Sequence, residues 1–187
     1  MKPSSKHREG SARLSGWDYR NQARYFITIC TKNRFHFLGQ CFDGIMSLSD
    51  IGKMTYTFWK EIPNHFSNVF LDVFQVMPNH IHGIIALTGE IIAPRNTNLT
   101  NRNIIDKPVE ENQYFQAISP KAGSLATIVR SYKSVCKKEI NLNFPDAEFA
   151  WQPRYHDYII RDDEKFFRIK NYIINNPKNW KKDKFFG

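Results

Sequence analysis

Cysteine is scarce in this chain, and its placement closes two structural routes. Cys30, Cys41 and Cys136 are odd in number, widely spaced and without a Cys-x-x-Cys pair, so neither a disulfide framework nor a cysteine zinc site is indicated. Long apolar runs are missing too. None is long enough to span a bilayer, and the polar, basic opening from Met1 to Arg8 is followed by no apolar signal-peptide core. A cytoplasmic, nucleoid-associated protein with no membrane partner is the expectation. Acidic residues are outnumbered, 18 Asp and Glu against 27 Lys and Arg, giving a formal charge of +9 and a pI near 9.5. That balance favours a polyanionic partner, with nucleic acid ahead of a membrane surface.

The positive charge gathers at the two ends. Residues 1–35 hold eight Lys or Arg against two acids and residues 121–187 hold fourteen against eight, whereas the middle holds five against eight. Aromatic side chains interleave with cations at Trp17, Tyr19, Arg20, Arg24 and Tyr25, and again at Trp151, Arg154 and Tyr155. Rings beside phosphate-binding groups are what single-stranded nucleic acid requires, although Tyr25 and Tyr155 serve equally well as strand residues facing a core.

With 187 residues and 41% hydrophobic content the chain is read as one domain, with a basic arm over residues 1–24 and a mobile polar insertion over residues 88–120. Strands are expected over 25–31, 69–74 and 80–87, and a Gly-punctuated strand or hairpin over 35–46. Ser49 or Asp50 caps a helix to about His65. A second helix over 124–141 turns Leu125, Ile128, Val129, Tyr132, Val135 and Ile140 inward and Arg130, Lys133, Lys137 and Lys138 outward. A final strand over 151–161 leads into a last helix from Asp162 or Asp163 to near Pro177, with Ile173 and Ile174 facing the core. The order predicts an α+β fold, a ferredoxin-like (RRM-like) antiparallel sheet with helices packed on one face.

The chemistry concentrates in Met-Pro-Asn-His-Ile-His-Gly, residues 77–83. His80 and His82, two apart on a strand, aim both imidazoles at one spot, with Ile81 and Ile84 turned the other way. Imidazoles suit divalent metals, but two of them do not close a coordination shell. Tyr172 and Asn176 lie four apart on the last helix and therefore share a face, bringing a phenol and a carboxamide together. Read alone, the same residues are also consistent with half-buried strand histidines, a surface tyrosine and a helix-end asparagine that Pro177 pushes out of the helix. Tyr132 is the rival nucleophile, but its place in the apolar pattern favours core packing.

Three segments together resemble the REP-associated tyrosine transposases, within the single-tyrosine HUH transposases. They are residues 77–83, Trp-Gln-Pro-Arg-Tyr-His-Asp-Tyr-Ile-Ile-Arg at 151–161, and Tyr-Ile-Ile-Asn-Asn-Pro at 172–177. The resemblance spans roughly residues 25–180, apart from the polar insertion. It implies that His80 and His82 bind a divalent metal, Mg²⁺ or Mn²⁺, that Asn176 completes the metal site, and that Tyr172 is the nucleophile. The implied reaction is cleavage of single-stranded DNA beside a hairpin, with Tyr172 becoming linked to the 5′ phosphate. Because an unperturbed phenol has a pKa of about 10, the metal and neighbouring cations such as Lys170 or Arg168 are expected to assist its deprotonation. One departure lies at His156-Asp157-Tyr158, where relatives often carry an acid directly followed by histidine, so a role for His156 is left open. Arg20, Arg24, Arg130, Lys133, Lys137, Arg154 and Lys170 are the expected DNA contacts, and a monomer and a homodimer are both compatible with the sequence. Two other classes compete. A binding-only domain would not need the histidines together with Tyr172, and a water-using metal hydrolase would add carboxylate ligands, none of which lies near the motif.

Overall fold

Tyr25, Ile27 and Ile29 alternate with Phe26 and Thr28, and this β-branched and aromatic run forms a strand covered on both faces, β1 (Ala23–Cys30). In the computed structural model, which describes residues 16–89 and 122–186, eight further elements follow. They are β2 (Gly39–Phe42), β3 (Ile45–Leu48), α1 (Asp50–His65), β4 (Val69–Met77), β5 (His80–Leu87), α2 (Leu125–Asn143), β6 (His156–Ile160) and α3 (Asp163–Asn175). Most of the basic arm and nearly all of the expected insertion lie outside the described residues.

Each helix starts where a short polar side chain can satisfy a free backbone N–H. Ser49 accepts from Gly52 N, Ser124 from Thr127 N and Asp162 from Lys165 N. The main sheet runs β4-β5-β1-β6 with every pairing antiparallel. With α1 connecting β1 to β4 and α2 connecting β5 to β6, this is the ferredoxin-like arrangement. The hairpin β2–β3 stands apart as a separate ribbon, closed by Asp43 and Gly44, both at positive φ.

Only α1 and α2 share a face. Between them and the sheet lies the larger core, in which Trp59 and Tyr132 meet edge to face over Ile27, Ile81 and Ile85. The third helix covers the opposite face, where Ile173 packs with Ile84 and Ile160. Three expectations change accordingly. Ile84 has the strand parity of His80 and His82 and lies on their face, with Ile81 alone turned away. Ile174 is exposed, so Ile173 carries the inward contact of α3. On α2 Cys136 joins Leu125, Ile128, Val129, Tyr132 and Ile140 as a buried side chain, with Val135 only half-buried at the margin. The last strand is also shorter than expected, because Trp151 makes only an isolated bridge to Thr31 before the chain reaches β6.

Trp59 packs directly on Gly83, where an added Cβ would collide with the indole ring. Gly83→Ala is therefore expected to cost about 1–3 kcal/mol through overpacking, seen as a lower Tm in thermal denaturation. A variant with unchanged Tm would mean that the indole is free to shift.

Candidate active site

Register places the first pieces. In the β1–β5 ladder Thr28 lies opposite His82 and Cys30 opposite His80, and cross-strand partners share a face. Thr28 Oγ1 accordingly sits 2.8 Å from His82 Nδ1. The Pro78-Asn79 turn supplies the equivalent partner for the other ring. Asn79 Oδ1 is 2.9 Å from His80 Nδ1, and Asn79 Nδ2 donates to the carbonyl of Phe185 at 2.8 Å, which fixes the amide orientation. A carbonyl oxygen only accepts, so His80 carries its proton on Nδ1 and its lone pair on Nε2. Anchoring Nδ1 to a polar group and leaving Nε2 free is how metal-ligating histidines are usually held.

Both rings are buried, 0% and 1% exposed, rather than open to solvent at the sheet end. Their centroids are 4.4 Å apart, and the rings of Phe185 and Trp180 lie 4.6 and 5.9 Å from His80. Burial pulls the pKa of each imidazole down, so both are neutral at neutral pH, the form that ligates. His80 Nε2 is buried with no hydrogen-bond partner among the described residues. An orphaned lone pair of this kind is costly unless something else fills it.

Helix α3 brings in the phenol. Tyr172 Oη is 3.1 Å from His82 Nε2 and donates to Asp183 Oδ2 at 3.3 Å, while its ring packs edge-on to Phe26. Burial, reinforced by the negative charge of Asp183, pushes the Tyr172 pKa up to about 12. Asn176 is on the same side of the helix, as its spacing predicted. It keeps α-helical backbone angles despite Pro177, since its N–H still reaches Ile173 O at 3.2 Å.

The sequence reading did not anticipate Asp183. One ligand atom each from His80, His82 and Asp183 falls within 4.8 Å of the others, a group of the kind that holds a divalent ion. Asn176 Nδ2 donates to Asp183 Oδ2 at 2.5 Å and Phe185 N to Asp183 Oδ1 at 2.8 Å, so both carboxylate oxygens are positioned. Asn176 thus turns its nitrogen toward the carboxylate, and its Oδ1 is left buried without a partner among the described residues. The carboxylate reaches the histidines because the 3₁₀ turn Pro177–Lys182 doubles the chain back and seats Trp180 against Cys30, Met77 and Phe185. Asp183 sits among Lys178, Lys181, Lys182 and Lys184, so in sequence it reads as part of a basic tail. The available signal was the pair Trp180 and Phe185 flanking that acid.

The expected DNA contacts divide into two groups. Arg20 is paired with Asp18, Arg24 with Asp163 at 2.8 Å while lying over Phe166, and Lys170 with Asp72 at 2.9 Å. Lys133 donates to the carbonyls of Gln152 and Pro153. Arg130, Lys137 and Arg154 are exposed and make no ion pair with any described residue. His156 is exposed at the start of β6, opposite Thr28. Tyr132 is buried in the core and donates to Thr55 O, which removes it as a rival nucleophile. Among the described residues no helix is long and apolar enough to cross a membrane.

No protein-family model matches the chain. A Haemophilus influenzae protein of uncharacterized function is 32% identical over 183 residues, covering 96% of this chain and 94% of that protein. Among solved structures, a REP-associated tyrosine transposase bound to a REP hairpin superposes with a TM-score of 0.54 at 15% identity, over 89% of this chain and 74% of its own. The chain belongs to one family with the Haemophilus influenzae protein, and its fold is that of a REP-associated tyrosine transposase.

Proposed function

We propose that this protein cuts and rejoins single-stranded DNA beside a hairpin through a covalent 5′-phosphotyrosine on Tyr172. The observation that carries the reading is the phenol oxygen lying between His82 Nε2 and Asp183 Oδ2, at 3.1 and 3.3 Å. The residues also fit a metal: a buried Nε2 with no partner among the described residues, two neutral imidazoles with anchored Nδ1 atoms, and an oriented carboxylate. His80, His82 and Asp183 would hold the ion, with Asn176 orienting the carboxylate and offering Oδ1 as a further oxygen. Imidazole donors beside a carboxylate suit Mn²⁺ better than Mg²⁺, which prefers an all-oxygen shell. When bound, the ion supplies Lewis-acid stabilisation for a nonbridging oxygen of the scissile phosphate.

The phosphoryl chemistry falls to Tyr172. With a pKa near 12 the phenol is protonated at neutral pH, and Asp183 Oδ2 is the acceptor within reach of its proton. The tyrosine oxygen forms a bond to phosphorus in line with the departing 3′ oxygen, which leaves as a free 3′-OH after gaining a proton. The phosphate then stays on Tyr172 as a phosphodiester, so attack by another 3′-OH reverses the step and joins strands. All of these groups come from one chain. That the fold relative was solved bound to a REP hairpin supports hairpin DNA as the substrate class.

The direct test is incubation with end-labelled hairpin DNA bearing a single-stranded flank, plus Mn²⁺, followed by denaturing electrophoresis and peptide mapping. A denaturation-resistant adduct on the peptide containing Tyr172 is expected; cleavage without any adduct would point to water as the nucleophile. Metal binding has its own readout. At a hundredfold excess over Kd, Mn²⁺ should stabilise the wild type by about 2.7 kcal/mol, visible as a raised Tm, and Asp183→Ala should lose most of that rise.

A further inference from the structure

We propose that the cleft between α2 and segment 150–155 binds one unstacked nucleotide of single-stranded DNA, at a distance from the catalytic face. The inference rests on the DNA reading above and extends it to a second contact point. The cleft holds about 440 Å³, within the ~300–1,000 Å³ typical of small-ligand pockets and too little for duplex. Val129, Trp151 and Tyr155 give it an apolar and aromatic wall, and Arg130, Lys133 and Lys137 edge it with cations. No carboxylate is among its described lining residues. A flat ring carrying negative charge is the ligand chemistry that such a lining complements, and base-on-aromatic contact with flanking cations is how single strands are held.

The fixed position of Lys133 sharpens the assignment. Its ammonium donates to the carbonyls of Gln152 at 2.7 Å and Pro153 at 3.1 Å, which ties the two walls together. An ammonium has three donors, so one is left for a ligand oxygen. Arg130 and Lys137, one helical turn to either side, make no ion pair with any described residue and are available to phosphates.

Topology relates this cleft to the catalytic residues. Trp151 bridges Thr31, and Gln152 N donates to Cys30 O at 2.9 Å, so the cleft wall is fastened to the C-terminal end of β1. Cys30 is the register partner of His80. The cleft and the histidines therefore share one end of the sheet while lying on opposite faces, α2 covering one and α3 the other. A strand leaving Tyr172 around that end would bring a base of the flank to the cleft, where its identity can influence which DNA is held.

The test is an equilibrium-binding scan by fluorescence anisotropy in EDTA, where no cleavage step intervenes. The full chain is titrated with hairpins whose single-stranded flank carries one abasic site, moved a position at a time. One position should weaken wild-type binding on the order of tenfold. That penalty should disappear in Arg130→Glu/Lys137→Glu and in Ser134→Trp, which fills the cleft from an exposed position without changing charge. A flank with no sensitive position, or a penalty that persists in both variants, would overturn the proposal, as would failure of the wild type to bind flanked hairpins. An adduct on Tyr172 without the abasic signature removes the cleft alone, and the signature without an adduct removes the strand-cleavage reading alone.

Discussion

Tyr172→Phe is expected to bind hairpin DNA as the wild type does and to form no covalent adduct, with cleavage down by about 10⁴-fold or more. The substitution removes one oxygen from a ring that is 41% exposed and leaves its contact with Phe26 in place. Its structural cost is limited to the hydrogen bonds to His82 and Asp183, about 1 kcal/mol. Anisotropy titration and denaturing gels on the same preparation separate the two effects. Cleavage within tenfold of wild type would transfer the nucleophile to water, since Tyr132 is locked in the core.

Loss of the histidine lone pairs should be as damaging. His82→Ala and His80→Ala are each expected to lower cleavage by roughly 10³-fold or more, and EDTA should silence the wild type to the same degree. Thr28→Val gives an intermediate result that a purely structural histidine pair would not produce. It keeps the shape of a side chain only 2% exposed while removing the hydroxyl that fixes His82 Nδ1. Mn²⁺ affinity, read by calorimetry, should fall by about 10–100-fold with the fold intact. Unchanged affinity in Thr28→Val, together with full cleavage in EDTA, would leave the pair as core residues.

The parts of this structure legible from sequence are those governed by nearby residues. Ser49, Ser124 and Asp162 mark helix starts because a cap is a contact over three residues, and the alternation in β1 and β5 marks strands because parity repeats every second residue. Parity applied without care also misled: Ile84 belongs with the histidines, as the count from His80 requires. The meeting of Tyr172 with the histidine pair was legible only by resemblance, since no local rule brings α3 onto β5. Asp183 stayed hidden because its place depends on Trp180 and Phe185 packing against residues more than a hundred positions earlier. The ion pairs of Arg24 and Lys170, two of the expected DNA contacts, were hidden for the same reason, their partners Asp163 and Asp72 being distant in sequence. On α2 the inward choice between Val135 and Cys136 turns on a rotation of one residue, finer than an apolar stripe specifies.

Tyr172 and the histidine it touches are 90 residues apart, and this has a consequence during synthesis of the protein. At translation rates of roughly 5–20 residues per second, a nascent chain carries the histidine pair for about 5–20 s before Tyr172 has been added. For most of that interval β6 is absent as well, and the β1 edge it will cover is still open. A polypeptide whose translation stalls in that window holds the two imidazoles but lacks Tyr172. On the chemistry proposed above, such fragments are unable to nick DNA, and the site is assembled only once α3 and the turn that carries Asp183 have followed the last sheet strand.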